Sequence, residues 1–255
     1  MSKIKPWLVP DWPAPANIHA ATTLRHGGVS LGAYESLNPA LHVGDNADKV
    51  RQNRQLINEM LQLPAEPVWL EQIHSNRLIK AETGAPLQQA DASYTQEPGV
   101  VCAVLTADCL PLLVCDDDGS RVAAIHAGWR GLLAGIIGNT ITAMRPPNPP
   151  LCKRGGLGGV MVWLGPAIGP ECFEVGSEVR DAFLAKSEAY TAAFSEQGNG
   201  KWLADIYQLA RVDLATLGIV NVYGGHFCTV TEHERFYSYR RDKDTGRMAT
   251  LIWRE

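Results

Sequence analysis

Three residues of this sequence have the chemistry to hold a transition metal between them. His74, Cys109 and His126 stand 35 and 17 residues apart, and the apolar runs preceding them predict that each falls at or just beyond the C-terminal end of a strand. Strand ends meet at a sheet edge, so residues distant in sequence converge there. Two imidazoles and one thiolate suit zinc, and three protein ligands leave the fourth tetrahedral position open for water or substrate. An open position separates a catalytic site from a structural one. The spacing contains neither C-x-x-C nor H-x-x-x-H, so the pattern alone does not identify a metal site. Each histidine taken singly reads more readily as a hydrogen-bonded core residue.

Other polar groups flank these positions. Asp108 precedes Cys109, where a carboxylate can orient a bound water or a neighbouring imidazole and act as general acid or base. It reads equally well as a turn aspartate capping local N–H groups. Gly128-Trp129-Arg130-Gly131 marks a strand-to-helix junction whose free N–H groups can meet an anion, or a tight turn with a packing tryptophan. Arg25-His26-Gly27-Gly28-Val29-Ser30 places an arginine before two glycines, a second anion cradle or simply a turn. Arg240 and Arg241 end a predicted strand. Neighbours on a strand face opposite ways, so at most one enters a pocket to bind phosphate or carboxylate; a salt-bridged surface pair is the plainer reading.

The elements that must position these residues follow from periodicity. Asp45 to Leu63 reads as a helix capped by Asn46, with Asp48 in its first turn and Val50, Ile57, Met60 and Leu61 near one face. Alternation from Val68 to His74 predicts a strand with Val68, Leu70, Gln72 and His74 on one side. Val100 to Leu105 and Leu110 to Cys115 flank Thr106-Ala107-Asp108-Cys109 as two buried strands or one bent one. Arg121 to His126 is another short strand, with Val122, Ala124 and His126 on one face. A helix then opens at Gly128 and runs to about Met144. Asp205 to Leu217 is an amphipathic helix stopped by Gly218. Phe236 to Arg240 and Arg247 to Trp253 flank Asp242-Lys243-Asp244-Thr245-Gly246, a hairpin signal. Pro146 to Gly159 reads as a long surface loop. The irregular alternation predicts a mixed α+β fold in one domain covering residues 1–255.

Composition narrows the function classes. Of 255 residues, 45% are apolar and 20% charged, as in an ordinary globular protein. The formal net charge of -4 gives no support for a nucleic-acid or anionic-membrane partner, since both favour a basic surface. No apolar run is long enough to span a membrane. The N-terminus carries two tryptophans and four prolines where a signal peptide needs an unbroken apolar stretch, so a cytoplasmic location is expected. Of the six cysteines, Cys102, Cys115, Cys172 and Cys228 sit in apolar or aromatic surroundings and read as small buried hydrophobes rather than disulfides.

Taken together, the motifs match one family. TLRHGGVS, ESLNPALHVGDN, WLEQIHS, QADASYT, LTADCLPLLVC, AIHAGWRGLLAGI, WLGPAIGPECFEVG, DIYQLAR and FYSYRRDKDTGRMA run through essentially the whole chain. The sequence resembles the purine nucleoside phosphorylase and peptidoglycan editing factor family, formerly labelled as laccase-domain or multicopper polyphenol oxidase proteins. TADCLPLL, HAGWRG and GPAIGP in that order are its most specific marks. The resemblance implies a four-layer α/β/β/α fold with mixed β-sheets, of the type shared with cysteine hydrolases. It implies zinc on the residues matching His74, Cys109 and His126, and phosphorolysis of adenosine, inosine, guanosine and methylthioadenosine, with adenosine deamination as a second activity. Purine nucleosides and phosphate are the expected partners. Bacterial members are linked to editing of UDP-MurNAc peptidoglycan precursors that carry serine in place of alanine. Arg25, Arg240 and Arg241 match positions suited to phosphate, and His42, Gln72 and Asp91 fall inside family motifs as candidate site residues, with Arg130 beside them. The Pro146 to Gly159 stretch has no family counterpart.

Three competing readings remain at this point. An amide hydrolase with Cys109 as nucleophile and His126 or His74 as base would remove L-serine from UDP-MurNAc-L-Ser, and a metal-activated water would serve there as well. A copper polyphenol oxidase needs clustered histidines, and the seven histidines include no His-x-His pair, although a His-Cys-His centre can take one Cu2+ in vitro. A non-catalytic binding protein fits least, because the polar motifs gather at strand ends.

Overall fold

Alternating apolar side chains along a few central strands build the layers. The structure, a computed structural model, describes residues 5–144 and 159–255. A four-stranded antiparallel sheet runs in the order β1 (Trp7–Leu8), β2 (Ile18–Thr23), β15 (Met248–Arg254), β7 (Cys102–Thr106). A six-stranded mixed sheet runs β14 (Asn221–Gly224), β10 (Val160–Leu164), β8 (Leu110–Asp116), β9 (Val122–Ala127), β6 (Ala92–Thr95), β4 (Leu78–Lys80). Two small sheets lie outside these: β11 (Glu174–Gly176), β13 (Lys201–Ala204) and β12 (Phe194–Gly198), and the parallel pair β3 (Leu70–Glu71) and β5 (Gln88–Gln89).

The period of two decides which face meets which layer. Cys102 and Val104 of β7 meet Leu113, Cys115, Val122, Ala124 and Trp163 in a core between the large sheets. Val101, Ala103, Leu105, Leu251 and Trp253 point the other way, toward Leu61 of helix α1 (Ala47–Leu61). On the far side, Leu110, Leu112, Val114, Ala123 and Ile125 pack on three helices, α3 (Ile136–Met144), α4 (Ser177–Lys186) and α5 (Ile206–Thr216). The order of layers is therefore α1, sheet, sheet, helices: the α/β/β/α arrangement. Each fully buried Leu, Ile or Val contributes about 1.5–3 kcal/mol. Cys102 and Cys115 are part of the inter-sheet core, where burial pushes both thiols up to about 12. No helix among the described residues is long and apolar enough to cross a membrane.

Several local expectations hold. Asn46 caps α1, its side chain accepting from the Asp48 and Lys49 N–H groups. Asp205 caps α5 through the Gln208 N–H, and Gly218 follows its end at φ +73°. The runs flanking 106–109 are two buried strands rather than one bent one, and they lie in different sheets, so Thr106 to Cys109 is the crossing between them. Others are corrected. The helix from 128 to 144 breaks after α2 (Trp129–Leu133), where Gly135 sits at φ +85°. Only Leu70 and Glu71 of the 68–74 stretch form a strand. Beyond them the Gln72 side chain, not its backbone, bonds to Leu105, and His74 turns at φ +59°. The hairpin at 236–253 is absent: Tyr239–Asp242 is a single helical turn, α6, which the Ser238 hydroxyl caps at the Arg241 N–H. Phe236 and Tyr237 are buried against Leu24, Ala107 and Met248, which holds that segment out of the sheet. The Pro146 to Gly159 loop lies outside the described residues except for its last glycine.

Candidate metal centre

Three segments deliver the ligands. Cys109 ends the crossing between the sheets. His126 stands on the inner face of β9 opposite Pro111, as its alternation with Val122 and Ala124 requires. His74 arrives from the turn beyond β3. The Cys109 Sγ lies 3.8 Å from His74 Nε2, and the two imidazole rings cross nearly edge-on at 79° with centroids 4.8 Å apart. Metal–ligand bonds of about 2.3 Å to sulfur and 2.0 Å to nitrogen put tetrahedral ligand atoms roughly 3.5 Å apart. One ligand atom from each residue lies within 4.8 Å of the others, so a small inward movement closes the cluster on an ion. Among the described residues this is the one His/Cys/Asp/Glu group arranged to hold a metal. The donor set of two nitrogens and one sulfur fits zinc.

Asp91 organises the centre from behind. It is fully buried. One carboxylate oxygen accepts from His126 Nδ1 at 2.8 Å and from the His74 backbone N–H at 2.9 Å. The other accepts from the Ser75 N–H at 2.6 Å and the Ser75 hydroxyl at 2.7 Å. This leaves Nε2 as the His126 nitrogen free for a metal, a carboxylate–histidine arrangement that fixes tautomer and ring direction. Burial would raise the Asp91 pKa, but the bonds from His126 and Ser75 outweigh it and hold the carboxyl well below the usual range. Burial likewise disfavours charge on Cys109 and His126. The His126 and His74 imidazoles nevertheless bring the Cys109 thiol down, and the Cys109 sulfur and Asp91 bring His126 up. The shifts on Cys109, His126 and Asp91 all favour their charged forms.

Gly128 makes room for two ligands at once. A Cβ there would lie 3.0 Å from His74 Cδ2 and 3.1 Å from Cys109 Sγ. Its φ of -66° suits any residue, so substitution crowds the ligands without straining the backbone. Gly128→Ala is expected to weaken metal binding roughly tenfold, the lower range for changes just outside the ligand shell, with thermal stability little altered. Chelator-competition titration beside a thermal melt checks both.

The remaining candidates divide sharply. A cavity of about 340 Å³ opens beside Cys109, lined also by Asp108, Trp129, Phe173, Arg240 and Lys243. Arg240 is thus the arginine of the pair that reaches the site; its guanidinium bonds to the Cys172 and Glu174 carbonyls at 3.2 and 3.1 Å. Arg241 is tied bidentately to Asp242 at 2.8 and 2.7 Å and also donates to the Thr229, Val230 and Phe236 carbonyls. Asp108, at φ +95°, accepts from the Thr229 hydroxyl and from the Arg240 N–H, both at 2.6 Å. Arg25 donates to the His233 carbonyl at 2.9 Å and lies over the Tyr237 ring. Three N–H groups of its glycine turn are taken within the fold, Gly28 by the Ser36 hydroxyl, Val29 by the Asn53 side chain and Ser30 by the Ser36 carbonyl. Arg130 is exposed and stacks on Trp129. Gln72 is bound at both ends of its amide to Leu105, at 2.8 and 2.7 Å, and so holds the turn that carries His74. His42 lines a neighbouring groove of about 460 Å³ with Arg54 and Trp69; burial, then the charges of Arg247, Arg54 and His126, lower its pKa.

Two residues of the site escaped sequence reading. Arg247 is half-buried, donating to the Thr245 and Gly246 carbonyls at 2.9 and 3.0 Å. Burial lowers its pKa while the Cys109 and Asp108 charges raise it, which places it within electrostatic reach of the centre. Lys243, expected in a hairpin tip, lines the cavity. The density of basic residues from Arg240 to Arg247 was the available signal.

Comparison with known proteins agrees with these features. A family model described as multi-copper polyphenol oxidoreductase laccase matches residues 19–255. The chain is 51% identical to the protein named purine nucleoside phosphorylase YfiH of Escherichia coli strain K12, over 99% of each. It is 48% identical to purine nucleoside phosphorylase PA4543 of Pseudomonas aeruginosa, over 97% of this chain and 98% of the other. The crystal structure of Neisseria meningitidis protein NMB0706 is similar with a TM-score of 0.91 at 50% identity, covering 98% of this chain and all of that one. The chain belongs to the family described as multi-copper polyphenol oxidoreductase laccase, and its full-length relatives include proteins named purine nucleoside phosphorylase.

Proposed function

We propose that the chain is a zinc-dependent purine nucleoside phosphorylase acting on adenosine, inosine, guanosine and methylthioadenosine, with adenosine deamination as a side activity. One observation carries the reading: Cys109 of the His74–Cys109–His126 cluster lines a cavity that Arg240 and Lys243 line as well. Phosphorolysis needs phosphate at the ribose C1′ as the purine departs. Arg240 and Lys243 supply positive charge to hold phosphate, and Trp129 and Phe173 supply apolar and aromatic surface for the nucleoside. Arg247 adds a positive charge within electrostatic reach of Cys109 and Asp108. A bound zinc would supply Lewis-acid polarisation at the open ligand position. Asp108 is the carboxylate on the cavity wall and is our candidate for proton transfer in deamination. Its contacts with Thr229 and the Arg240 N–H also make it a fixed part of that wall. The family description points to copper, but a multicopper cluster needs further ligands. Among the described residues no second ligand group stands beside the first.

A second reading has an observation of its own. Cys109, His126 and Asp91 are ordered as nucleophile, base and orienting carboxylate, the arrangement of a cysteine amide hydrolase. Removal of L-serine from UDP-MurNAc-L-Ser would use it. Chromatography of adenosine incubated with and without phosphate, before and after metal removal, separates the two. Adenine and ribose 1-phosphate appearing only with phosphate and metal is the expected result, with inosine reporting the deaminase. No purine product under any condition would overturn the phosphorylase reading and make the muramyl precursor the next substrate.

A further inference from the structure

Cys172 and Cys228, which sequence placed among the buried hydrophobes, are both partly exposed free thiols. They lie 56 residues apart in sequence yet both contact one glycine, Gly169. The Gly169 N–H donates to the Cys228 sulfur at 3.3 Å, and a Cβ on Gly169 would come within 2.9 Å of the Cys228 Cβ. Cys172 closes the same turn, its N–H bonding to the Gly169 carbonyl at 3.0 Å. The adjoining Thr229 N–H pairs with the Ala167 carbonyl at 3.0 Å, so the two segments run side by side and are held there by backbone bonds. Both cysteines thus contact the one residue Gly169, and the Cys228 sulfur bears on the Cys172 thiol.

We propose that Cys172 and Cys228 are a redox-active pair that closes to a disulfide by exchange with a low-molecular-weight disulfide such as oxidised glutathione. Their surroundings give the two sulfurs different parts. Burial opposes charge on Cys228, but bonds from the Thr231 hydroxyl and from the Thr231, Gly169 and Val230 backbone prevail and lower its pKa. Burial and the Cys228 sulfur raise that of Cys172. Cys228 is therefore the attacking thiolate and Cys172 the resolving thiol. The Cys228 sulfur attacks one sulfur of the reagent, the reagent S–S bond breaks, and one glutathione leaves as the thiol with the Cys228 proton. The Cys172 sulfur then attacks the Cys228 sulfur of the mixed disulfide, and the second glutathione leaves with the Cys172 proton. Two protein thiols are oxidised and one external disulfide is reduced to two thiols. The cross-link stitches together the segments that hold Arg240, through the Cys172 carbonyl, and Asp108, through Thr229.

The full chain is treated with oxidised glutathione, then examined by thiol titration, intact mass and peptide mapping. Loss of two thiols without a retained glutathione, a peptide pair joined through Cys172 and Cys228, and full reversal by dithiothreitol are expected. Cys172→Ser should stop at a glutathione adduct on Cys228, and Cys228→Ser should form neither adduct nor cross-link at these positions. A stable adduct on Cys228 in the native sequence, a cross-link through Cys109 instead, or six thiols unchanged would each overturn the proposal.

Discussion

Cys109→Ala is expected to bind no metal and to lower nucleoside turnover by about a thousandfold or more, the order expected when a group acting at the reacting centre is lost. It should melt within a few degrees of the native protein. The thiol is partly exposed at the start of β8 and outside the apolar clusters, so its removal empties little core volume. His126 keeps its bond to Asp91 in the variant and is not left as an unpaired buried cation. Metal analysis, a thermal melt and the chromatographic assay together check the prediction. Full turnover from this variant would sink the metal reading and the cysteine-nucleophile reading alike. Cys109→Ser then helps to divide them: a hydroxyl is a poor zinc ligand and a poor nucleophile, but metal retained without turnover favours the nucleophile.

The second large effect belongs to Asp91→Asn. Four donors converge on this carboxylate: the His126 ring N–H, the His74 and Ser75 backbone N–H groups and the Ser75 hydroxyl. An amide of the same shape offers one oxygen and turns an NH2 toward the remaining donors, in a place with no access to water. Loss of the buried charge and of one acceptor is expected to cost about 3 kcal/mol of stability. Metal affinity should fall by roughly 10–100-fold, since both ligand histidines lose their guide. Denaturant titration measures the first effect and chelator competition the second. Native-like stability with unchanged affinity would show that Asp91 does not organise the centre.

How much of this was legible beforehand depends on the distance over which each residue is constrained. His126 could be assigned a face because period-two alternation along Val122, Ala124 and His126 is a local rule, and β9 obeys it. Asn46 could be assigned as a cap because its partners lie two and three residues away. His74 obeyed no such rule. Its turn is set by Gln72 reaching Leu105 and by Asp91 receiving the His74 and Ser75 N–H groups, contacts made across many residues of chain. Asp91 itself looked like a residue on the cavity wall, because nothing local says that a carboxylate lies behind an imidazole rather than before a substrate. Arg240 and Arg241 were indistinguishable by type; the helical turn they occupy, in place of a strand, sends one to the cavity and binds the other to Asp242. The layer order was implied by the family resemblance, since periodicity by itself gave only a mixed α+β fold, and the crossing of Thr106 to Cys109 from one sheet to the other had no local sign, because two adjacent apolar runs look alike whichever sheet receives them.

The ligands and the basic residues of the cavity come from different parts of the chain. His74, Cys109 and His126 are braced by Asp91 and Gln72, while Arg240 and Lys243 belong to the α6 turn, joined to the ligand side through Asp108. That division makes the site partly modular. Changes at the wall can retune which molecule is admitted while the metal cradle stays intact, so a single scaffold of this kind is open to divergence in substrate along a lineage without passing through a metal-free, inactive ancestor.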